Sequence, residues 1–280
     1  MGKTTKIEWT DSSWNPIRAR NLKTGRVGWY CEHATTGCEF CYAERLNTAF
    51  GTGLPFKPGH RKDVEIFLDE KMLTAPLRWK KPSMVFVCSM TDLFADFVKD
   101  EWIEQIFAAM LETEHRFQVL TKRPERMNRW VKEWLAGISP NLLENIWLGV
   151  SCERQEEADE RIPLLLDTPA TIRFVSAEPL LGPINFGCQG CGTVSDAHKI
   201  WCTVLKRAPT VGIDWVIVGG ESGSGNRLME PAWARSIRDQ CNEAGVAFFM
   251  KQMQGKRKIP DDLMVREWPI PIPEKYPVML

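Results

Sequence analysis

From about residue 83 onward, short apolar runs rich in Val, Ile, Phe and Trp alternate with stretches of helical spacing. No other feature limits the possible folds so strongly. Strands that alternate with helices pair in parallel through right-handed crossovers. The runs cover 84–88, 117–120, 145–150, 172–175, 214–218 and 246–250. They are too short for helices and apolar on both faces, which suits strands covered on both sides. Between them, 100–113 sets Ile103, Ile106, Phe107, Met110 and Leu111 on one face, with Asp100 expected as N-cap. The stretch 125–136 does the same with Met127, Trp130, Val131, Trp134 and Leu135, and Gly137 stands where a C′ glycine belongs. A third helix is expected over 231–244, opened by Pro231 and closed by Gly245.

An open doubly wound sheet and a (β/α) barrel both satisfy this alternation. The residues after each run separate them. They read Ser89-Met90-Thr91-Asp92, Thr121-Lys122-Arg123, Ser151-Cys152-Glu153-Arg154, Ser176-Ala177-Glu178, Gly219-Gly220-Glu221-Ser222 and Lys251-Gln252. Every run ends in polar groups. A barrel gathers all such ends on one rim, whereas an open sheet gathers only those at its switch point. The expectation is an α/β partial barrel over 1–254, interrupted by a Cys-rich insertion at 181–213. A proline-rich tail without regular structure is expected over 255–280.

The 280 residues carry 36 Lys+Arg against 36 Asp+Glu, a formal net charge of zero. That excludes a tail-driven polyanion binder but leaves room for a local basic groove. No apolar run has the roughly 18–20 residues of a membrane span, and the N-terminus has no apolar signal region. A cytoplasmic, reducing location is therefore expected, where clustered thiols bind metal or do chemistry more often than they cross-link.

Cys31, Cys38 and Cys41 form C-x6-C-x2-C. Gly37 frees the backbone beside the closer pair, and a helix is expected from Glu39 to Thr48. Three thiolates suit an iron–sulfur cluster with one iron open. With His33 as a fourth ligand they suit a closed zinc site. Unliganded core cysteines are the third option. A second group, Cys188-x2-Cys191 with His198 and Cys202, has the composition of a Cys3His zinc site. Cys88, Cys152 and Cys241 read as packing residues.

Four segments carry a family resemblance: 7–16 (Ile7-Glu8-Trp9 through Trp14-Asn15-Pro16), the three cysteines with Cys41-Tyr42-Ala43-Glu44-Arg45, 174–180, and 214–223. Over about residues 6–254 the chain resembles a widespread phage-associated family of unknown function, carried by bacteriophages and prophages and marked by a three-cysteine motif. That family in turn resembles radical S-adenosylmethionine (SAM) enzymes of the spore photoproduct lyase type. Ser89-Met90-Thr91-Asp92-Leu93-Phe94 resembles their turn after the second barrel strand, and Thr121-Lys122 the pair after the third. The resemblance implies a [4Fe–4S] cluster on Cys31, Cys38 and Cys41 whose open iron chelates SAM. One-electron cleavage of SAM would then start radical chemistry on a nucleic acid or nucleotide. An electron donor such as flavodoxin or ferredoxin would be the partner. Ser89, Thr91 and Asp92 would line the SAM pocket, with Lys122, Glu178 and Glu221 as further rim residues. The chain departs from the usual C-x3-C-x2-C in its first gap. Gly219-Gly220-Glu221 matches a SAM-binding tripeptide, but after the wrong strand. It reads instead as a turn that brings backbone N–H groups near a ligand.

Twelve tryptophans are many for this length, and Trp102, Trp130, Trp134 and Trp233 sit at core spacing. Trp9, Trp14, Trp29 and Tyr30 flank the first cysteine, placed either to shield a cluster or to stack bases. Arg18, Arg20, Lys23, Arg26, Arg45, His60, Arg61 and Lys62 add a basic bias able to meet phosphates. The alternative to an enzyme is a non-catalytic, metal-stabilised module that binds nucleic acid or protein.

Overall fold

Each of the six expected strands forms, within two residues of its expected limits. A computed structural model describes residues 5–136, 143–187, 206–208, 211–223 and 225–269. The chain divides into two compact units, one ending at Trp147 and the other beginning at Leu148.

The first unit opens with β1 (Ser12–Trp14), β2 (Ile17–Asn21), β3 (Val27–Gly28), α1 (Tyr42–Phe50), β4 (Val64–Leu68) and α2 (Glu70–Leu73). It continues with β5 (Met84–Val87), α3 (Asp100–Leu111), β6 (Arg116–Thr121) and α4 (Pro124–Trp134). Strand β7 (Ile146–Ser151) spans the division. The second unit holds α5 (Gln155–Leu166), β8 (Ile172–Ala177), β9 (Lys206–Ala208), β10 (Val211–Gly212), β11 (Trp215–Gly219), α6 (Pro231–Ala244) and β12 (Ala247–Gln252). Seven strands form one sheet in the order β1-β5-β6-β7-β8-β11-β12, so sheet order follows chain order. The pairs β1/β5, β5/β6, β8/β11 and β11/β12 are parallel. This is a mixed α/β architecture consistent with a partial β/α barrel. All residues of β5, β7, β8 and β11 are buried, as strands covered on both faces require.

In the first unit, two strand groups go beyond the expected pattern. β1 precedes the six and pairs Trp14 with Val87. A small antiparallel sheet, β3-β2-β4, stands apart from the main one. Its central strand buries Ile17, Ala19 and Asn21 and turns Arg18 and Arg20 outward, a polar alternation too short to stand out. Lys99, not Asp100, occupies the cap of α3, and the Asp100 carboxylate instead meets Arg126 at 2.5 Å. Trp130 stacks on Trp134 with centroids 5.5 Å apart, and both pack on Phe107. Trp9 and Trp14 are buried against Phe86 and Phe117 and take no part in base stacking.

In the second unit, α5 forms despite Pro163 inside it and a buried face that includes Glu157 and Arg161. Gly245 adopts φ 63° after α6, the left-handed C′ position that glycine takes without strain. The tail is more regular than expected. Arg266 bridges antiparallel to Phe249, and Trp215 Nε1 donates to the Glu267 carbonyl at 2.8 Å. Strand β12 ends the sheet, and this segment covers its otherwise open edge. No helix among the described residues is long and apolar enough to cross a membrane.

Candidate functional site

The cysteine segment runs between the first and second strands of the parallel sheet, β1 and β5. Its short gap is a turn. The Cys38 N–H donates to the Thr35 carbonyl at 3.0 Å, and the Cys41 N–H to the Cys38 carbonyl at 3.2 Å. Cys41 is the N-cap of α1, where the N–H groups of Ala43 and Glu44 favour its thiolate. Cys31 follows the buried Tyr30. All three cysteine side chains are half-buried. Dense surrounding protein pushes the Cys31 and Cys41 thiols up; Asp92 and then the other two cysteines add to the shift at Cys31, where Arg123 opposes it. Cys38 acts on Cys41 in the same sense, with Lys122 opposing. The three thiols thus share one electrostatic neighbourhood.

The donor set bears on which group it fits. Among the described residues, no three His, Cys, Asp or Glu side chains converge as ligands of a single ion. Thiolates on one zinc would stand about 3.8 Å apart, given Zn–S bonds of about 2.3 Å. His33 Nε2 lies 2.7 Å from Glu44 Oε2, which also accepts the Phe56 N–H at 2.8 Å. One imidazole nitrogen of His33 is therefore taken up by Glu44.

The end of β5 braces the cysteine segment. Cys88, buried, adopts φ 55° and starts a sharp turn. Ser89 Oγ bonds Asn15 Nδ2 at 3.1 Å, and the Ser89 carbonyl accepts the Tyr42 hydroxyl at 2.8 Å. Thr91 Oγ1 donates to the Tyr30 carbonyl at 2.5 Å, one residue before Cys31. Asp92 is the hub. Its Oδ1 accepts from Phe94 N at 3.0 Å and Thr121 Oγ1 at 2.7 Å; its Oδ2 accepts from Lys122 N at 2.9 Å and Arg123 Nη1 at 3.0 Å. Arg123 Nη2 then donates to the Glu32 carbonyl at 3.0 Å. Ser89, Thr91, Asp92 and Lys122 thus gather beside the cysteine segment. The first three are already bonded to the chain and position the segment. Arg123, Tyr30, Tyr42 and Asn15 complete the brace, and only the tertiary contacts identify them as parts of it.

The other two expected rim residues lie in the second unit, at the ends of neighbouring strands. Glu178, joined to Pro179 by a cis peptide bond, follows β8. Its Oε1 meets Lys251 Nζ at 2.5 Å. A Cβ on Gly219 would stand 3.2 Å from that carboxylate. Glu221 is buried, and its two oxygens take Nε, Nη2 and the backbone N–H of Arg227. The Gly-Gly-Glu turn is explained by packing. The Gly220 N–H donates to the Gln252 carbonyl at 2.9 Å, and a Cβ there would fall 2.4 Å from the Gln254 nitrogen. Cys188, Cys191, His198 and Cys202 lie outside the described residues.

A family model described as a protein of unknown function, DUF5131, matches residues 4–265. No curated protein matches the chain. No solved structure matches it either.

Proposed function

The chain belongs to the family of proteins of unknown function DUF5131, and from that premise we propose that it is a radical SAM-like iron–sulfur enzyme. One observation carries the reading. Three half-buried thiols share one electrostatic neighbourhood between the first two strands of a parallel sheet. The positions of the other segments support it. Ser89, Thr91 and Asp92 follow the second parallel strand, and Thr121 and Lys122 end or follow the third.

Cys31, Cys38 and Cys41 would hold a [4Fe–4S] cluster. When bound, such a cluster with one open iron supplies electrons to SAM. The chain's own residues prepare the place. Asp92 and Arg123 fix the backbone at Glu32, and Thr91 fixes it at Tyr30. Positive charge from Arg123 and Lys122 favours the ionised thiols. Ala43, Phe56 and Met90, with Trp29 and Tyr42 packed on them, keep water from the inner side. A nucleic acid or nucleotide is the proposed substrate class, and a flavodoxin or ferredoxin the proposed electron donor. The zinc site at Cys188, Cys191, His198 and Cys202 is retained as a proposal from its spacing.

The test is anaerobic purification followed by iron, sulfide and zinc analysis and a visible spectrum. We expect about four irons and four sulfides per chain, lost when Cys31, Cys38 and Cys41 are all changed to Ala. SAM titration into the loaded protein should then perturb the spectrum. Zinc alone, with no iron taken up on anaerobic reconstitution, would overturn the reading and leave a non-catalytic binding module.

A further inference from the structure

Charge on this neutral chain is not evenly spread. Residues 15–31 hold Arg18, Arg20, Lys23 and Arg26 and no acidic residue. Residues 45–62 hold Arg45, Lys57, Arg61 and Lys62, again with no acidic residue. The fold knits these two segments into one module. Arg26 Nη2 from the β2–β3 hairpin donates to the Ala49 carbonyl of α1 at 3.1 Å. Asn21 Nδ2 donates to the Thr52 carbonyl at 2.9 Å, and the Leu22 N–H to the Asp63 carbonyl at 2.9 Å. Asn47, fully buried, ties Trp29, Thr52 and Leu54 together. A Cβ on Gly28 would lie 2.3 Å from the Thr52 nitrogen, so the hairpin rests directly on the turn after α1.

Some of the cations are neutralised. Arg20 pairs with Glu65 and Arg61 with Asp96. Lys23, Arg26, Arg45, Lys57 and Lys62 are exposed. Among the described residues none of these five has an acidic partner. Beside them, α1 presents Leu46, Ala49 and Phe50 outward at i, i+3 and i+4. Phe50 is 80% exposed and Phe40, just before Cys41, 38%. A bare phenyl ring next to the residue that Arg26 bonds, on a module rich in unneutralised cations, suits a polyanion that also carries flat apolar faces. An acidic protein would answer the charge, but it has no systematic use for an isolated ring. Duplex DNA would answer the charge while keeping its bases stacked out of reach.

We propose that this hairpin–helix face binds single-stranded nucleic acid, with Lys23, Arg26, Arg45, Lys57 and Lys62 toward phosphates and Phe50 as a base-stacking platform. Helix α1 starts at the Cys41 cap, so a bound strand lies on the module that carries the cysteines. The inference goes beyond the cluster reading and does not depend on it.

The experiment is fluorescence anisotropy of the full chain with a labelled oligodeoxythymidine. With these five cations on phosphates, log K should fall against log salt with a slope of about −3.5. Lys23→Glu combined with Lys62→Glu should weaken binding at least about tenfold. Phe50→Ala should weaken it roughly tenfold without moving the melting temperature. The proposal is overturned if the oligonucleotide does not bind at low salt, or binds all variants equally. Loss in the charge variant with none in Phe50→Ala would also overturn it, and would point to an acidic protein as occupant. The readout needs neither iron nor SAM, so failure of the cluster reading leaves this result interpretable.

Discussion

The polar residues after β5 and β6 and those after β8, β11 and β12 look alike in the sequence, yet they are built differently. In the first unit, Asp92 collects four donors from two segments, its own turn and the end of β6, and, through Arg123, reaches a third. In the second unit, Glu178 and Glu221 each answer one cation, Lys251 and Arg227. The first arrangement positions a segment of chain; the second consists of carboxylates that each answer a single residue. A carboxylate's importance to the fold therefore depends less on its burial than on how many separate backbone stretches it joins.

The sharpest way to break this comparison is Asp92→Ala. It strands the Arg123 guanidinium and three further donors, so we expect a loss of about 3–5 kcal/mol in urea unfolding. A loss below about 1 kcal/mol would mean that the brace is ornamental. Next comes Gly220→Ala, whose Cβ meets the backbone of Gln254 and Met253. It should cost about 1–3 kcal/mol. The nearest atoms to a Gly219→Ala methyl belong to the Glu178 side chain, which can shift, so this change should cost less. Equal losses from the two would refute the packing account of that turn.

Acid should separate the units more gently. His115 lies in the first unit. Burial holds His115 below its ordinary 6.5, while the Pro76 carbonyl pulls the other way. Its Nδ1 accepts the Ser83 N–H at 3.2 Å. Protonation would take that acceptor away, at about 1 kcal/mol for the bond. Folding favours the neutral ring, so its contribution is complete above 6.5 and is lost as pH falls toward the depressed folded value. Urea midpoints at two pH values, compared between the wild type and His115→Gln, should show the variant losing part of the acid dependence. The smallest effect belongs to Glu178→Gln, where we expect about 1 kcal/mol, since the amide oxygen can still accept from Lys251 and no other donor is stranded.

The strands could be read from the sequence because burial on both faces leaves unbroken apolar runs, as in β5, β8 and β11. Helix α5 could not. Pro163 reads as a helix breaker, and Arg161 reads as exposed although it sits buried against the Ser151 carbonyl and Glu153. The cysteines could be read from their spacing. Asp92 could be read as a residue of interest, but not as a hub. Its partners Thr121 and Arg123 come from a strand end about thirty residues away, and nothing local in the sequence marks those bonds. The base-stacking role considered for Trp9 and Trp14 fails because both fill the core.

The Asp92–Arg123 brace also has a thermodynamic consequence. It holds Glu32, next to Cys31, in place before any ligand arrives. Binding and folding then draw on the same free energy, and linkage makes their coupling reciprocal. If the proposed cluster binds there, each part of the brace that tightens its hold must raise the resistance of the N-terminal unit to unfolding by the same amount. The melting curve of the loaded protein is therefore a measure of how well the segment was preorganised.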